Sequence, residues 1–157
     1  MAQLFDYFVA SRPMIERWAD AVQQQDEQLQ HQIEGGMPRL LTLKDLGQDE
    51  FNILARCAEE NDFDVVEAVG EVDLVKAISE VDGPWLMAFR QANVDRISRM
   101  SLHTSLIERW VKNVAQFNER NEDVLRDVLT AEAANTLKEL CGLAVKNRLG
   151  VYTCFYG

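Results

Sequence analysis

Two short segments rich in aromatic residues constrain the fold of this chain more than any other feature. They are QLFDYFVA at residues 3–10 and VYTCFYG at residues 151–157. Aromatic and β-branched residues are typical of strands, and a strand needs a neighbour to hydrogen-bond its backbone N–H and C=O groups. We therefore expect the two segments to pair side by side in one sheet. Other pairings, and a sheet shared between two subunits, remain open from the sequence alone.

The segment that follows the first of these strands predicts a helix with a polar face. Ser11 and Pro13 suit its cap and its first turn. Apolar residues then recur at helical spacing until Gly35-Gly36, where the helix is expected to end. These apolar residues are Ile15, Trp18, Val22, Leu29 and Ile33. The glutamine-rich stretch at 23–32 is interpreted as the solvated face of this single helix.

The middle of the chain mixes strand-like and helical patterns. Residues 37–46 fit a strand or an extended linker, and a helix is expected to begin at residues 47–50. Its first turn carries Asp49 and Glu50, which the positive end of a helix dipole favours. Three shorter elements follow in the prediction. They are a valine-rich strand at 61–69, a short helix at 73–81, and a buried strand at 85–89 after a turn at 82–84.

From residue 93 onward the apolar spacing is helical almost to the end of the sequence. The clearest amphipathic helix contains Leu106 and Trp110, with Thr104 as its expected cap, and the last helix is expected to stop at Gly150. The chain is therefore predicted to be α+β, with four to seven helices. We expect a single globular domain over residues 1–157, with a small sheet that includes both the N-terminal and the C-terminal strands.

Length, hydrophobicity and cysteine content indicate the cellular compartment of the protein. The chain has 157 residues, which is close to one typical domain. No apolar run approaches the roughly 20 residues of a membrane helix, and the first residues lack a secretory signal. Cys57, Cys141 and Cys154 are an odd set among apolar neighbours, so buried thiols are expected. These features predict a cytoplasmic protein.

A search for catalytic residues yields one weak local candidate. His103 lies next to Ser101 and Ser105 in the sequence, but no Gly-x-Ser-x-Gly element surrounds it. A nucleophile and its base must lie within hydrogen-bond reach and be oriented by a third group. We therefore assign no catalytic residue, and the sequence favours a protein that is not an enzyme.

Metal and cofactor motifs are also missing from the sequence. The acidic stretch EENDFD at residues 59–64 has some of the oxygen ligands of a calcium loop, but it lacks the turn glycine and the closing glutamate. Cysteines and histidines are scattered rather than clustered. Neither a phosphate-binding loop nor a dinucleotide-binding glycine motif occurs. No metal and no cofactor are expected.

Charge is segregated along the chain. Residues 45–82 contain twelve acidic and two basic residues, a net charge of −10, whereas residues 90–120 contain six basic and three acidic residues, a net charge of +3. In one interpretation the two segments face each other and partly cancel. In the other, the acids form a surface potential that attracts a basic partner. The net charge of −10 for the whole chain argues against binding to nucleic acid or to anionic membranes.

Three hypotheses about function follow. The first is a non-enzymatic protein-interaction module, resembling an immunity or inhibitor protein in size and charge, that binds a basic protein through Glu59, Glu60, Asp62 and Asp64. The second is a small-ligand-binding protein or enzyme with a pocket around Arg96, Arg99 and His103, because arginines beside a histidine could hold an anion. The third is a homo-oligomeric structural component, such as a homodimer, joined through the terminal strands.

Overall fold

The computed structural model describes residues 2–79 and 83–155, which fold into eight helices and one five-stranded sheet. The strands are β1 (Leu4–Ala10), β2 (Arg39–Lys44), β3 (Val72–Ala77), β4 (Trp85–Phe89) and β5 (Gly150–Phe155). The helices are α1 (Arg12–Gln23), α2 (Glu27–Gly35), α3 (Gln48–Glu59), α4 (Val65–Val69), α5 (Gln91–Ser98), α6 (Thr104–Asn118), α7 (Glu122–Arg126) and α8 (Ala131–Asn147). The predicted α+β class is confirmed, although the number of helices exceeds the four to seven expected.

The strand order in the sheet is β2-β1-β5-β4-β3, and every neighbouring pair is antiparallel. The predicted pairing of the two aromatic segments is confirmed by the register of β1 with β5, in which Phe5 lies opposite Phe155 and Ala10 opposite Gly150. Residues 156–157 of the second segment lie outside the described residues. Both strands have a neighbour on each side, so neither leaves an edge to which a second copy of the chain could add. A homo-oligomer stays a prediction, but its interface would not be formed by adding strands to β1 or β5.

Alternation along the strands separates the core into two layers. On one face of the sheet, Tyr7, Val9 and Phe89 pack with apolar residues of α3, α5, α6 and α8. On the other face, Phe8 and Leu86 pack with apolar residues of α1 and α2. The sheet is thus covered by a large helical layer and a small one, and the candidate site described below lies on the side of the large layer.

The single helix predicted between Ser11 and Gly35 is wrong: the chain forms α1 and α2 instead. Gln25 adopts a left-handed backbone with φ of 58°, and the Asp26 side chain accepts a hydrogen bond from Leu29 N, which starts the second helix. The apolar spacing did not reveal this break because Ile33 of α2 packs into the same core layer as Ile15 and Trp18 of α1.

Two further predictions are corrected. Residues 61–69 were expected to form a strand, but residues 65–69 form α4, because the Asp64 side chain caps the backbone N–H groups of Val66 and Glu67. Residues 73–81 were expected to form a helix, but residues 72–77 form the edge strand β3, which pairs with β4. The parts of that prediction, and of the turn at 82–84, that fall on residues 80–82 lie outside the described residues.

The remaining helix and strand predictions agree with the structure, apart from one cap. The strand alternative for residues 37–46 is confirmed by β2, the strand at 85–89 is β4, and the helices expected after residue 93 are α5 to α8. His103, not Thr104, caps α6. All three cysteine side chains are buried. Within residues 2–79 and 83–155, none of the helices has the length and apolar character needed to cross a membrane.

Candidate functional site

A cavity of about 460 Å³ opens at one end of the sheet, on the side of the large helical layer. Its floor is formed by the ends of β1, β4 and β5, and its walls by the start of α3 and the residues that end α6. Ligand cavities in proteins commonly range from about 300 to 1,000 Å³. The cavity is therefore large enough for a small organic molecule.

Three aromatic rings form a row along the floor of the cavity. Phe155 on β5 lies opposite Phe5 on β1 and opposite Trp85 on β4, so the three residues are direct neighbours across three strands. The ring centroids of Phe5 and Phe155 are 5.2 Å apart, and those of Trp85 and Phe155 are 5.8 Å apart, in stacked geometry. Phe5 is buried, whereas Phe155 and Trp85 are only half-buried. The row thus keeps apolar ring surface accessible at the cavity.

The start of α3 supplies carboxyl groups to the same cavity. Asp49 and Glu50 lie in the first turn of this helix and both line the cavity. The Glu50 Oε2 atom accepts a hydrogen bond of 3.2 Å from the backbone N–H of Gly47, so the side chain satisfies one of the N–H groups left unpaired at the helix start. The Oε1 atom accepts none of the described hydrogen bonds from another residue, and Glu50 lines the cavity.

Burial changes the ionisation of Glu50. Only 9% of this residue is exposed. The pKa of its carboxyl is raised from 4.5 to about 7. Removal from water is the main cause and the neighbouring Asp49 charge adds to it, while backbone N–H groups and Arg120 act in the opposite direction. Burial also raises the pKa of Asp49. Ionisable groups with such shifts cluster at functional sites.

Buried hydrogen bonds fix the position of the α3 start. The Tyr7 hydroxyl donates to the backbone carbonyls of Leu46 and Gly47, at 2.9 and 3.2 Å. Burial is the main reason why the pKa of Tyr7 lies well above its usual value, and the nearby Glu50 carboxyl raises it further. The hydroxyl therefore keeps its proton and remains a donor. The Trp110 indole N–H donates to the carbonyl of Glu50. Strand β1 and helix α6 therefore hold the cavity wall from two sides.

Gly47 is required where the α3 start meets the aromatic row. A Cβ atom at this position would lie 2.5 Å from the Cε1 and Cζ atoms of Phe5. Real Cβ contacts do not occur at this distance, so any other residue would push the ring aside. The close approach of Gly47 to Phe5 thus shapes the junction of the acidic wall and the aromatic floor.

Arg120 is the basic residue among the described cavity-lining residues. It follows the left-handed residue Glu119, which ends α6, and its side chain is exposed. Its charge lowers the pKa of Glu50 only as the last of several influences, and the two side chains form none of the described ion pairs. The fixed charges at the cavity are therefore mainly acidic, with one basic group at the rim.

Residues from two different predicted sites contact each other: Glu59 of the acidic surface pairs with Arg96 and Arg99 of the expected pocket. The Glu59 carboxylate receives Arg96 Nε at 3.2 Å and Arg99 Nη2 at 2.6 Å, and these contacts lower the pKa of Glu59. Glu60 pairs with Arg56 within its own segment. The acidic and basic segments thus partly cancel across the fold, as the first interpretation of the charge pattern predicted.

The other two predicted acidic residues are exposed. The Asp62 side chain makes no described ion pair, and the Asp64 carboxylate is used as the cap of α4. The predicted acidic segment extends to Glu80 and Asp82, which lie outside the described residues. Of the four acids proposed to bind a basic partner, Asp62 therefore keeps the most available carboxylate.

Arg96 also begins a chain of hydrogen bonds that leads through Asn93 to the buried Asn52. Its Nη1 atom donates to Asn93 Oδ1 at 2.7 Å, and Asn93 Nδ2 donates to Asn52 Oδ1 at 3.1 Å. Because arginine can only donate, it fixes the orientation of both amides. Asn52 Nδ2 is then the one enclosed side-chain atom without a hydrogen-bond partner in the described part of the chain.

His103 has a structural role that the sequence did not predict. Its Nδ1 atom accepts a hydrogen bond from the backbone N–H of Leu106 at 3.1 Å and lies 2.6 Å from the Ser105 hydroxyl. It therefore caps α6. None of Arg96, Arg99 and His103 is among the described residues that line the aromatic cavity.

The sequence contained part of the signal for the cavity. Phe5, Phe155 and Trp85 all lie in segments predicted as strands, and Asp49 and Glu50 were placed in the first turn of a predicted helix. Nothing local indicates that these segments converge, because the contacts span up to 150 residues. The sequence indicates these carboxyls as partners of the helix dipole only, and no local pattern indicates their burial.

Comparisons with other proteins assign no family to the chain. No protein-family model, no curated protein sequence and no solved structure matches it. The geometry of the cavity is therefore the basis for its functional assignment.

Proposed function

We propose that this protein binds a small organic ligand in the cavity between the aromatic row and the start of α3. The observation that supports this function best is the combination of three neighbouring rings with the buried Glu50 carboxyl in one cavity of about 460 Å³. Ligand sites are typically apolar hollows with a few polar groups that fix orientation. This site differs from the pocket expected around Arg96, Arg99 and His103.

The chemistry of the lining favours binding over covalent catalysis. The described residues around the cavity carry aromatic rings, amides, carboxyls, a thioether and a guanidinium, and none of them is a serine, cysteine or histidine. Hydroxyl, thiol and imidazole nucleophiles are therefore missing from the described lining, which leaves the Asp49 and Glu50 carboxyls as its reactive groups. We accordingly propose a binding protein, with the rings as the apolar surface and the polar groups as the source of orientation.

The three tryptophans provide a direct test. Trp85 is half-buried at the cavity, whereas Trp18 and Trp110 are enclosed, with 1% and 0% exposure. A small aromatic compound that enters the cavity should therefore change Trp85 fluorescence in a saturable way. Trp85→Phe should remove this response while leaving the emission of the other two tryptophans. A saturable response that persists unchanged in the variant would place binding elsewhere and contradict the proposal.

A second candidate function is the interaction module with an acidic surface, which fewer exposed carboxylates support than the sequence predicted. It is supported by the exposed Asp62, Asp64 and Glu67 carboxylates around the start of α4. Glu59 and Glu60 are already paired with arginines of the same chain. We propose Asp62 and Glu67 as the residues that would face a basic protein partner, as an immunity or inhibitor protein would do.

Charge reversal tests this second candidate without disturbing the fold. The double variant Asp62→Lys/Glu67→Lys changes exposed carboxylates that make no described ion pairs. Asp127→Lys/Glu132→Lys makes the same change of charge at exposed positions near the start of α8. After affinity capture at low salt and identification of a basic protein, its purified form should bind the first variant less tightly than the second. Equal affinity for both variants would reject this surface as the binding site.

A further inference from the structure

We propose that the ligand of the aromatic cavity is a small organic cation, an amine whose apolar part packs on the ring row and whose ammonium group pairs with the carboxyls at the start of α3. This inference rests on the proposed function, namely that the cavity binds a small ligand. It adds the chemical class of that ligand and the residues that select it.

The first argument is the missing counter-charge of Glu50. The residue is 9% exposed, and its carboxyl is contacted only by backbone N–H groups, those of Gly47 and of Glu50 itself, and by no cationic side chain. A buried carboxylate without an ionic partner is unfavourable, which agrees with the raised pKa of this group. An ammonium group in the cavity would donate to Oε1 and supply the opposite charge. Charge-assisted hydrogen bonds of this kind are among the strongest available in proteins.

The second argument is the surroundings of Glu50. Asp49 lies beside it on α3 and adds a second negative charge to the cavity. Tyr7 of β1 faces the same carboxyl, but its hydroxyl is used by the carbonyls of Leu46 and Gly47. The elements packed around Glu50 thus leave a negative site that forms no described ion pair, and Arg120 is the basic side chain whose charge acts on it.

The third argument concerns the opposite choice, an anionic ligand. A helix start can bind anions through its unpaired N–H groups, and Arg120 could assist. However, the Gly47 N–H is already taken by Glu50, and both first-turn carboxyls would repel an anion. Arg120 is exposed at the rim rather than held in the cavity. The charge of the fixed residues therefore favours a cation.

The ring row supplies the other half of the specificity. Phe155 and Trp85 are half-buried neighbours and present apolar surface on the floor of the cavity. A ligand with a ring or a short hydrocarbon chain would bury this surface, while a bare inorganic cation would not. The inference therefore specifies an organic amine rather than a metal ion.

Three probes of nearly equal size separate charge from shape. Phenethylamine is cationic, phenethyl alcohol is neutral, and hydrocinnamate is anionic near neutral pH. Their affinities can be measured by titration calorimetry and by Trp85 fluorescence at about pH 8, where Glu50 is ionised in the majority of molecules. We expect the amine to bind more tightly than hydrocinnamate by about tenfold or more, as a charge-assisted contact implies.

Matched variants identify the residues responsible. Glu50→Gln keeps the shape of the side chain and removes its charge, so the preference for the amine over the alcohol should fall about fivefold or more. Asp49→Asn should reduce the same preference and serves as a second variant should Glu50→Gln disturb the helix start. Arg120→Gln should strengthen amine binding, because it removes a charge of the same sign from the rim.

The outcomes distinguish the inference from the proposed function. Tighter binding of hydrocinnamate than of the amine, weakened by Arg120→Gln, would overturn the inference and leave the ligand-binding function in place. Equal affinity for the amine and the alcohol, with a fluorescence response that Trp85→Phe removes, would also overturn the inference and leave the ligand-binding function in place. An amine preference that neither Glu50→Gln nor Asp49→Asn reduces would also overturn it. Failure of all three probes to bind would reject both the inference and the proposed function.

Discussion

The Nε1 atom of Trp110 donates a hydrogen bond of 2.8 Å to the backbone carbonyl of Glu50, 60 residues earlier in the chain. Trp110 is fully buried in the middle of α6, and Glu50 lies in the first turn of α3 at the cavity. This contact ties the acidic wall of the site to the hydrophobic core. The position of the cavity carboxyls therefore depends on the packing of Trp110, which is buried and does not line the cavity.

Trp110→Phe removes this hydrogen bond and leaves a smaller ring in the core. We expect the free energy of unfolding to fall by about 2–4 kcal/mol, because a buried hydrogen bond and a packed ring are both lost. Urea denaturation followed by circular dichroism measures the change. Trp85→Phe makes the same substitution at the half-buried cavity position and should cost clearly less. Equal losses in the two variants would contradict a special role for the Trp110–Glu50 contact.

Glu50→Gln should change how stability depends on pH. The pKa of Glu50 is raised from 4.5 to about 7 in the folded protein, so the folded state holds this proton more tightly than the unfolded state. The stability gained from the proton is fully present below the unfolded pKa and is lost as pH rises through about 7. The wild-type protein should therefore lose stability relative to the glutamine variant between about pH 5 and pH 8, by up to about 3 kcal/mol.

Urea midpoints at a series of pH values measure this effect. Glu67→Gln, at an exposed position of α4, is the control, and its difference from the wild type should vary little with pH. The charged groups near Glu50 are Asp49 and Arg120, and the Tyr7 hydroxyl beside it is neutral. Asp49 titrates in both proteins, so its contribution largely cancels in the comparison. A constant difference between wild type and Glu50→Gln across this range would contradict the assigned burial of the carboxyl.

Gly47→Ala tests the junction between the acidic wall and the aromatic floor. The new Cβ atom would meet the Phe5 ring at 2.5 Å, so the ring must shift and the row with Phe155 must change. We expect a loss of about 1–3 kcal/mol in stability and weaker binding of phenethylamine. Gly35→Ala is the matched control, because a Cβ atom there meets nothing within 4 Å. Wild-type affinity in Gly47→Ala would show that the Phe5 ring does not shape the site.

The buried amide pair of Asn52 and Asn93 should behave as one unit. Each side chain is 0% exposed, and each single change to alanine leaves part of the other amide without a partner. We expect each to cost about 1–3 kcal/mol, and the double variant to cost about 1 kcal/mol less than the sum. Asn52→Ala combined with Asn135→Ala, an exposed position on α8 with other partners, should be additive. Additivity in both pairs would argue against the hydrogen bond.

The sequence predicted elements better than it predicted their partners. The pairing of Phe5 with Phe155 followed from composition, because two aromatic strands each needed a neighbour. Helix α6 followed from spacing, since Leu106, Trp110 and Val114 form a long uninterrupted stripe. Short segments failed: the valines of α4 favour a strand by propensity, but the Asp64 cap and the local packing determine a helix.

The site could be predicted only in fragments. The density of acids at residues 59–64 predicts a binding surface there, but Glu59 faces Arg96 and Arg99 from a segment about 40 positions away. Local charge density cannot show which acids find partners inside the same chain. Conversely, the burial of Glu50 depends on β1, α6 and the loop that follows it, which no window of sequence contains.

Gly142→Ala should stabilise the protein. Gly142 lies in the interior of α8, and a Cβ atom there would meet nothing within 4 Å. Alanine restricts the unfolded chain more than glycine and favours the helix by about 0.5–1 kcal/mol, so the urea midpoint should rise. The same substitution at Gly83 should have the opposite sign, because this residue has φ of 73° and a Cβ atom would lie 2.7 Å from the Trp85 ring. A loss of stability in Gly142→Ala would mean that α8 packs more closely against its neighbours at this position than the described contacts allow.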